Sequence, residues 1–215
     1  LKRQVQQSRQ FVRGHLRAVG VELGQVTGKK WLVAAQAAVA ARGGVLGLSL
    51  TAMLEACCAL GEQVSVLDRE IRRLVRQDAP CRRMMTAPGV GLLSALALRA
   101  SLDDAGRFAR SAEVGPYLGL TPSRWQTGKT DRRGAITKQG DRLRRAYLYD
   151  GATPLLERQK RDCPLRRWGL AQQDRLGKRR TRVAVARKLA VLMHKLWRSG
   201  ETFDWNRGMG AITIN

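Results

Sequence analysis

From Leu50 to Leu74 the apolar residues keep strict time. Leu50, Met53, Cys57, Leu60, Val64, Leu67, Ile71 and Leu74 alternate steps of three and four. A strand cannot use that spacing, because its side chains change face at every residue, whereas a helix puts all eight on one side. The positions between them hold Glu55, Glu62, Gln63, Asp68, Arg69, Glu70, Arg72 and Arg73. This is the heptad seam of a coiled coil. It predicts one long helix whose apolar edge needs a cover, either a second copy of the chain or the chain's own first helix folded back.

The rest of the chain reads as helices and punctuation. Leu1, Val5, Val12, Leu16 and Val19 give residues 1–19 an amphipathic pattern. Gly28-Lys29-Lys30 reads as a loop, and the Ala-rich run from Trp31 to Ala41 as a helix ended by Arg42-Gly43-Gly44. Asp78-Ala79-Pro80 stops the long helix. Pro88-Gly89-Val90-Gly91 then joins two short apolar helices in the manner of a helix-hairpin-helix, a turn that can offer N–H groups at Gly89 and Gly91 to a phosphate. The same four residues also suit an ordinary tight turn. Asp103 and Asp104 read as helix caps rather than metal ligands. Residues 157–182 are densely basic and include Arg179 and Arg180, with Trp168 among them. Val185, Leu189, Leu192 and Leu196 stripe a last helix capped by Gly200. The expected fold is mainly α: a helical and coiled-coil region over 1–79, a small helical domain with the hairpin-like turn over 80–200, and a loose tail over 201–215.

Charge narrows the partners. Forty Lys and Arg face 17 Asp and Glu, a net charge of +23. Such a chain repels itself unless a polyanion neutralises it, so nucleic acid is the expected partner, with an acidic membrane surface second. No run reads as a membrane span or signal peptide, and bacterial cytoplasm near the nucleoid is the expected location. Cys57, Cys58, Cys81 and Cys163 form no Cys-x-x-Cys pair and lie far in sequence from His15 and His194, so reduced thiols are expected and no metal site is assigned. The start, Leu-Lys-Arg-Gln, reads as a fragment of a longer frame.

Residues 119–149 read as a polar, glycine-punctuated loop leading into a basic helix. Ser123, Thr127, Thr130 and Thr137 alternate with Arg124, Lys129, Arg132, Arg133 and Lys138, and Gly128, Gly134 and Gly140 recur between them. Hydroxyls, cations and open backbone N–H groups together suit a phosphate backbone. Arg124, Lys129, Arg132, Arg133 and Lys138 are therefore candidate nucleic-acid contacts, with Arg144 and Arg145 on the helix that follows. The plainer reading is a solvated basic loop.

This stretch also resembles the signature of the bridge-RNA-guided insertion-sequence transposases. The shared elements are Gly-Leu-Thr-Pro at 119–122, Trp-Gln-Thr-Gly at 125–128, Gly134, Ile136-Thr137-Lys138, Gly140-Asp141, Arg144 or Arg145, and Leu148-Tyr149. The resemblance implies DNA transposition, binding of DNA and a structured guide RNA, and a homo-oligomer joined by the coiled coil. It also implies a hydroxyl nucleophile that becomes joined to DNA, and Mg²⁺ held by acidic residues of a RuvC-like N-terminal domain. The nucleophile position, serine in that family, is Thr127 here. No counterpart of the acidic domain is legible in the chain. Three readings compete: the C-terminal part of a transposase, a non-catalytic nucleic-acid-binding remnant or module, and a basic coiled-coil scaffold for RNA.

Overall fold

The computed structural model describes residues 1–205, with Arg133 described by its backbone alone. The architecture is mainly α, as the periodicities predict, and the chain divides into two compact units, Leu1–Arg73 and Leu74–Asn215.

The first unit is built from α1 (Lys2–Ala18), α2 (Gly28–Ala40) and most of α3 (Gly44–Gln77). Gly28-Lys29-Lys30, expected in a loop, opens α2 instead. The core gathers Val12 and Leu16 of α1, Trp31, Ala35 and Val39 of α2, and Leu50, Leu54 and Cys57 of α3. A fully buried Leu side chain contributes about 1.5–3 kcal/mol, so this small cluster is what holds the unit together. Lys2 Nζ meets Asp68 Oδ2 at 2.9 Å, while Val12 and Leu16 pack with Leu50 and Leu54, so α1 runs back along α3. Fold-back therefore covers the first half of the seam. Further along, Leu67 and Leu74 stay 48% and 46% exposed. By length and composition alone α3 could also cross a bilayer, although polar residues interrupt its apolar positions.

In the second unit α4 (Ala79–Met84) and α5 (Leu92–Leu102) flank the Pro88-Gly89 turn. Asp78 caps α4, its Oδ1 accepting from Cys81 N at 2.7 Å. Asp104 caps a 3₁₀ turn, accepting from Gly106 N at 2.9 Å. After the short α6 (Val114–Tyr117) come two antiparallel strands, β1 (Pro122–Thr127) and β2 (Thr130–Ile136), then α7 (Arg142–Glu157) and α8 (Pro164–Ser199). The helix α8 is broken at Gly177, whose φ of 74° and ψ of 157° are not helical. Its C-terminal part forms the core, with Val185, Leu189, Leu192 and Leu196 all buried. Ser94 Oγ donates to Tyr147 O at 2.9 Å and so ties α5 to α7, and Arg182 of α8 reaches Tyr149 and Glu157 of α7. The chain after Gly200, expected to be loose, is docked where it is described. Phe203 is buried, its N–H donates to Thr86 Oγ1 at 2.7 Å, and Arg161 lies over the Trp205 ring. The remainder of the expected tail lies outside the described residues.

Candidate nucleic-acid interface

The polar stretch expected to be a loop is a β-hairpin. Gln126 pairs with Asp131 and Thr127 with Thr130, which leaves Gly128 and Lys129 as a two-residue turn. Gly128 has φ +53°, at the position where tight hairpin turns of this length favour glycine. The register places Trp125 opposite Arg132. Side chains alternate along a strand, so Trp125, Thr127, Thr130, Arg132 and Gly134 share one face, while Arg124, Gln126 and Asp131 share the other.

The base of the ribbon is pinned to the domain. Thr137 N donates to Thr121 O at 2.9 Å and Lys138 N to Gly119 O at 3.2 Å. Asp141 caps α7 by accepting from Leu143 N at 2.8 Å. Arg145 donates to the carbonyls of Gln139 and Gly140 at 2.5 and 2.9 Å. From Arg124 to Arg132 every residue is exposed. The hairpin is therefore a projecting ribbon on a fixed root.

The candidate cations separate into two groups. Arg124 spends its fork on Asp131, with Nε and Nη2 at 2.7 and 3.0 Å from the two carboxylate oxygens, and this bond raises the guanidinium pKa further. Arg144 faces Asp141 at 3.5 Å, and Arg145 holds the root of the ribbon. Lys129, Arg132 and Lys138 are exposed with no side-chain partner among the described residues, as are Arg179 and Arg180 just beyond the break in α8. Lys138 takes φ +57°, rare for a residue with a Cβ, as the chain turns from the ribbon toward α7. Trp168 carries Lys188 Nζ 4.1 Å above its ring, and burial lowers the Lys188 pKa.

Thr127 stands at the tip of β1, exposed, and its hydroxyl makes no hydrogen bond among the described residues. Ser123, the other hydroxyl nearby, donates to Ala135 O at 3.0 Å. No group of three or more His, Cys, Asp or Glu among the described residues is arranged to hold a metal ion.

The Pro88-Gly89 turn is built for packing. A Cβ on Gly89 would lie 2.3 Å from Gly151 O, and one on Gly151 would lie 2.8 Å from Gly89 O. The two glycines let the turn and α7 touch backbone to backbone. Gly91 is exposed and N-caps α5 without a side-chain bond.

These elements, from the start of the α4–α5 pair through the ribbon to the N-terminus of α8, coincide with a match to known proteins. Residues 81–164 match the family described as Transposase IS116/IS110/IS902 family. That segment is thus similar to the transposase domain of that family. The chain is 34% identical over 153 residues to the putative transposase y4pF/y4sB of Sinorhizobium fredii, which covers 70% of this chain and 40% of that protein. It is 31% identical over 143 residues to the transposase for insertion sequence element IS1111A of Coxiella burnetii, covering 66% and 39%. A probable family 20 transposase of Pseudomonas aeruginosa is 38% identical over 93 residues, covering 43% and 28%. The chain thus spans two fifths or less of the length of these relatives. Within the transposase domain, sequence reasoning missed the Arg124–Asp131 fork and the exposure of Trp125. The signal available for both was the Thr-Gly-Lys-Thr turn, which fixes the register.

Proposed function

We propose that this chain is the DNA-binding part of an insertion-sequence transposase, and that Thr127 supplies the hydroxyl that attacks a DNA phosphodiester. One observation supports this above the others. Inside the transposase domain, residue 127 is an exposed hydroxyl at the tip of a ribbon that also carries Lys129 and Arg132. In the attack the Oγ1–P bond forms and the P–O bond to the neighbouring deoxyribose breaks. The proton leaves Thr127 for solvent, and the departing sugar oxygen takes one up. Cations beside the phosphate offset the charge that builds on its oxygens. The hydroxyl is secondary and sits on a stiff β-branched side chain, which makes it a slower nucleophile than serine.

The residues described do not fit a resident Mg²⁺, because the carboxylate nearest in the ribbon, Asp131, is already bound by Arg124. No step here is assigned to a metal. A structured guide RNA is the second partner we propose, with Arg179 and Arg180 as contacts. The uncovered stretch of α3 around Leu67 and Leu74 would pair with a second copy. The site of action would be bacterial DNA in the nucleoid.

The test traps the covalent protein–DNA adduct in a complex completed with an acidic RuvC-like domain and guide RNA, and maps the attached residue. Attachment at Thr127, faster in Thr127→Ser and absent in Thr127→Ala, is the expected result. An adduct at Ser123 would relocate the nucleophile. No adduct even with Thr127→Ser would leave the chain a non-catalytic nucleic-acid-binding module.

A further inference from the structure

Trp125 has no part in the chemistry proposed above, yet its setting is specific. It is 63% exposed, in a chain that buries Trp31 to 2%. It shares a face with Thr127, two residues along the same strand and so about 7 Å away, and it stands opposite Arg132. Gly134 explains how an exposed indole is held in place. A Cβ at Gly134 would lie 2.5 Å from Trp125 Cζ3 and 3.0 Å from Cη2, so the six-membered ring occupies the space that any larger residue would fill. The indole thus rests on bare backbone while most of its surface stays open.

An indole fixed on one side and open on the other, beside a guanidinium without a side-chain partner among the described residues and an exposed hydroxyl, matches one ligand chemistry. Every base has a π-face to stack, and the phosphate attached to it meets the cation. We propose that Trp125 is a stacking platform for an unpaired DNA base adjacent to the phosphate presented to Thr127, with Arg132 on the backbone of the same nucleotide. The proposal rests on the reading of the ribbon as a DNA-contacting surface. It does not need Thr127 to be the nucleophile, because stacking involves no covalent step.

The experiment measures binding of the full chain to single-stranded DNA by anisotropy, using oligonucleotides intact or carrying one abasic position moved along the strand. Trp125→Ala should weaken binding about tenfold, within the range of one lost base stack, and leave the salt slope unchanged because no charge is removed. Trp125→Phe should keep most of the affinity. One abasic position should weaken the unaltered protein by a similar factor and leave Trp125→Ala unaffected. All of this should persist in a Thr127→Ala background, which separates the stacking claim from the nucleophile claim. If Trp125→Ala weakens intact and abasic DNA equally, the indole only props the hairpin over Gly134 and the proposal falls. Trp125 dependence seen with RNA alone would overturn the choice of ligand.

Discussion

Arg124 and Asp131 close on each other across the hairpin, the guanidinium holding both carboxylate oxygens at 2.7 and 3.0 Å. With its Nε–Nη2 edge filled by a carboxylate, the guanidinium is neutralised and closed on that edge to a phosphate. Asp131→Asn should release Arg124 and remove one negative charge from the ribbon. DNA binding should tighten, and the log–log salt slope should become more negative by about 0.9, the contribution of one added phosphate contact. Anisotropy across a salt titration reads both quantities. An unchanged slope would place Arg124 away from the DNA.

The contact between Gly89 and Gly151 makes a second, purely structural prediction. Gly89 has φ +77°, and its missing Cβ would sit 2.3 Å from Gly151 O. Gly89→Ala therefore combines left-handed backbone strain with a backbone clash, and should cost more than about 2 kcal/mol. Gly91 has φ −94° and open space where a Cβ would go. Gly91→Ala should stay within about 1 kcal/mol, the cost of a poorer N-cap. Chemical denaturation of the two variants checks the contrast. Equal losses would mean that the turn is not held by that contact.

What the sequence made legible, and what it hid, follows from where hydrophobic contrast exists. The long helix and the Val185–Leu196 stripe were readable because apolar residues recur at helical spacing. Even there burial falls on Leu54 rather than Met53, since a helix of 3.6 residues per turn drifts from a 3.5-residue seam. The hairpin was unreadable by the same logic. Both faces are largely polar, with Arg132 beside Trp125 and the threonines on one and Arg124, Gln126 and Asp131 on the other, so its period of two offers no apolar stripe to read. The sequence also marks where cations are and not what they meet. Arg145 reads as a phosphate ligand until the fold brings the Gln139 and Gly140 carbonyls to it.

The uneven cover of α3 separates folding from assembly. Leu54 is buried in the core of the first unit, so Leu54→Ala should cost about 2–5 kcal/mol wherever the chain is folded. Leu67 and Leu74 are about half exposed, and replacing both with Lys should leave the helix content intact. If α3 pairs with a second copy, the double variant should lose oligomer mass in sedimentation while its circular dichroism stays unchanged. A mass that does not change would mean that these leucines are ordinary surface residues.

His194 makes the domain's stability depend on pH in a known direction. It is fully buried, with Nε2 3.0 Å from Ala105 O, Nδ1 2.9 Å from Ser111 Oγ, and the Phe108 ring edge-on. Since a carbonyl can only accept, Nε2 carries the proton and donates to Ala105 O, while Nδ1 accepts from the Ser111 hydroxyl. The ring is therefore bound in its neutral form. Burial lowers its pKa, the Ala105 bond opposes this, Arg198 adds to the lowering and Glu113 opposes it, with the net shift downward. In the unfolded chain a histidine titrates near ~6.5. Below that pH the unfolded state takes up a proton that the folded state refuses. Stability is thus complete above pH ~6.5 and falls as the pH drops toward the depressed folded value, with a limiting slope of about 1.4 kcal/mol per pH unit. Gln in place of His194 keeps an amide donor for Ala105 O and cannot titrate. Urea unfolding of the protein and of His194→Gln at pH 7.0 and 5.5 should show a clear loss for the first and a much smaller one for the second. An equal loss in both would assign the acid sensitivity to other groups and mean that His194 is not the residue that resists protonation.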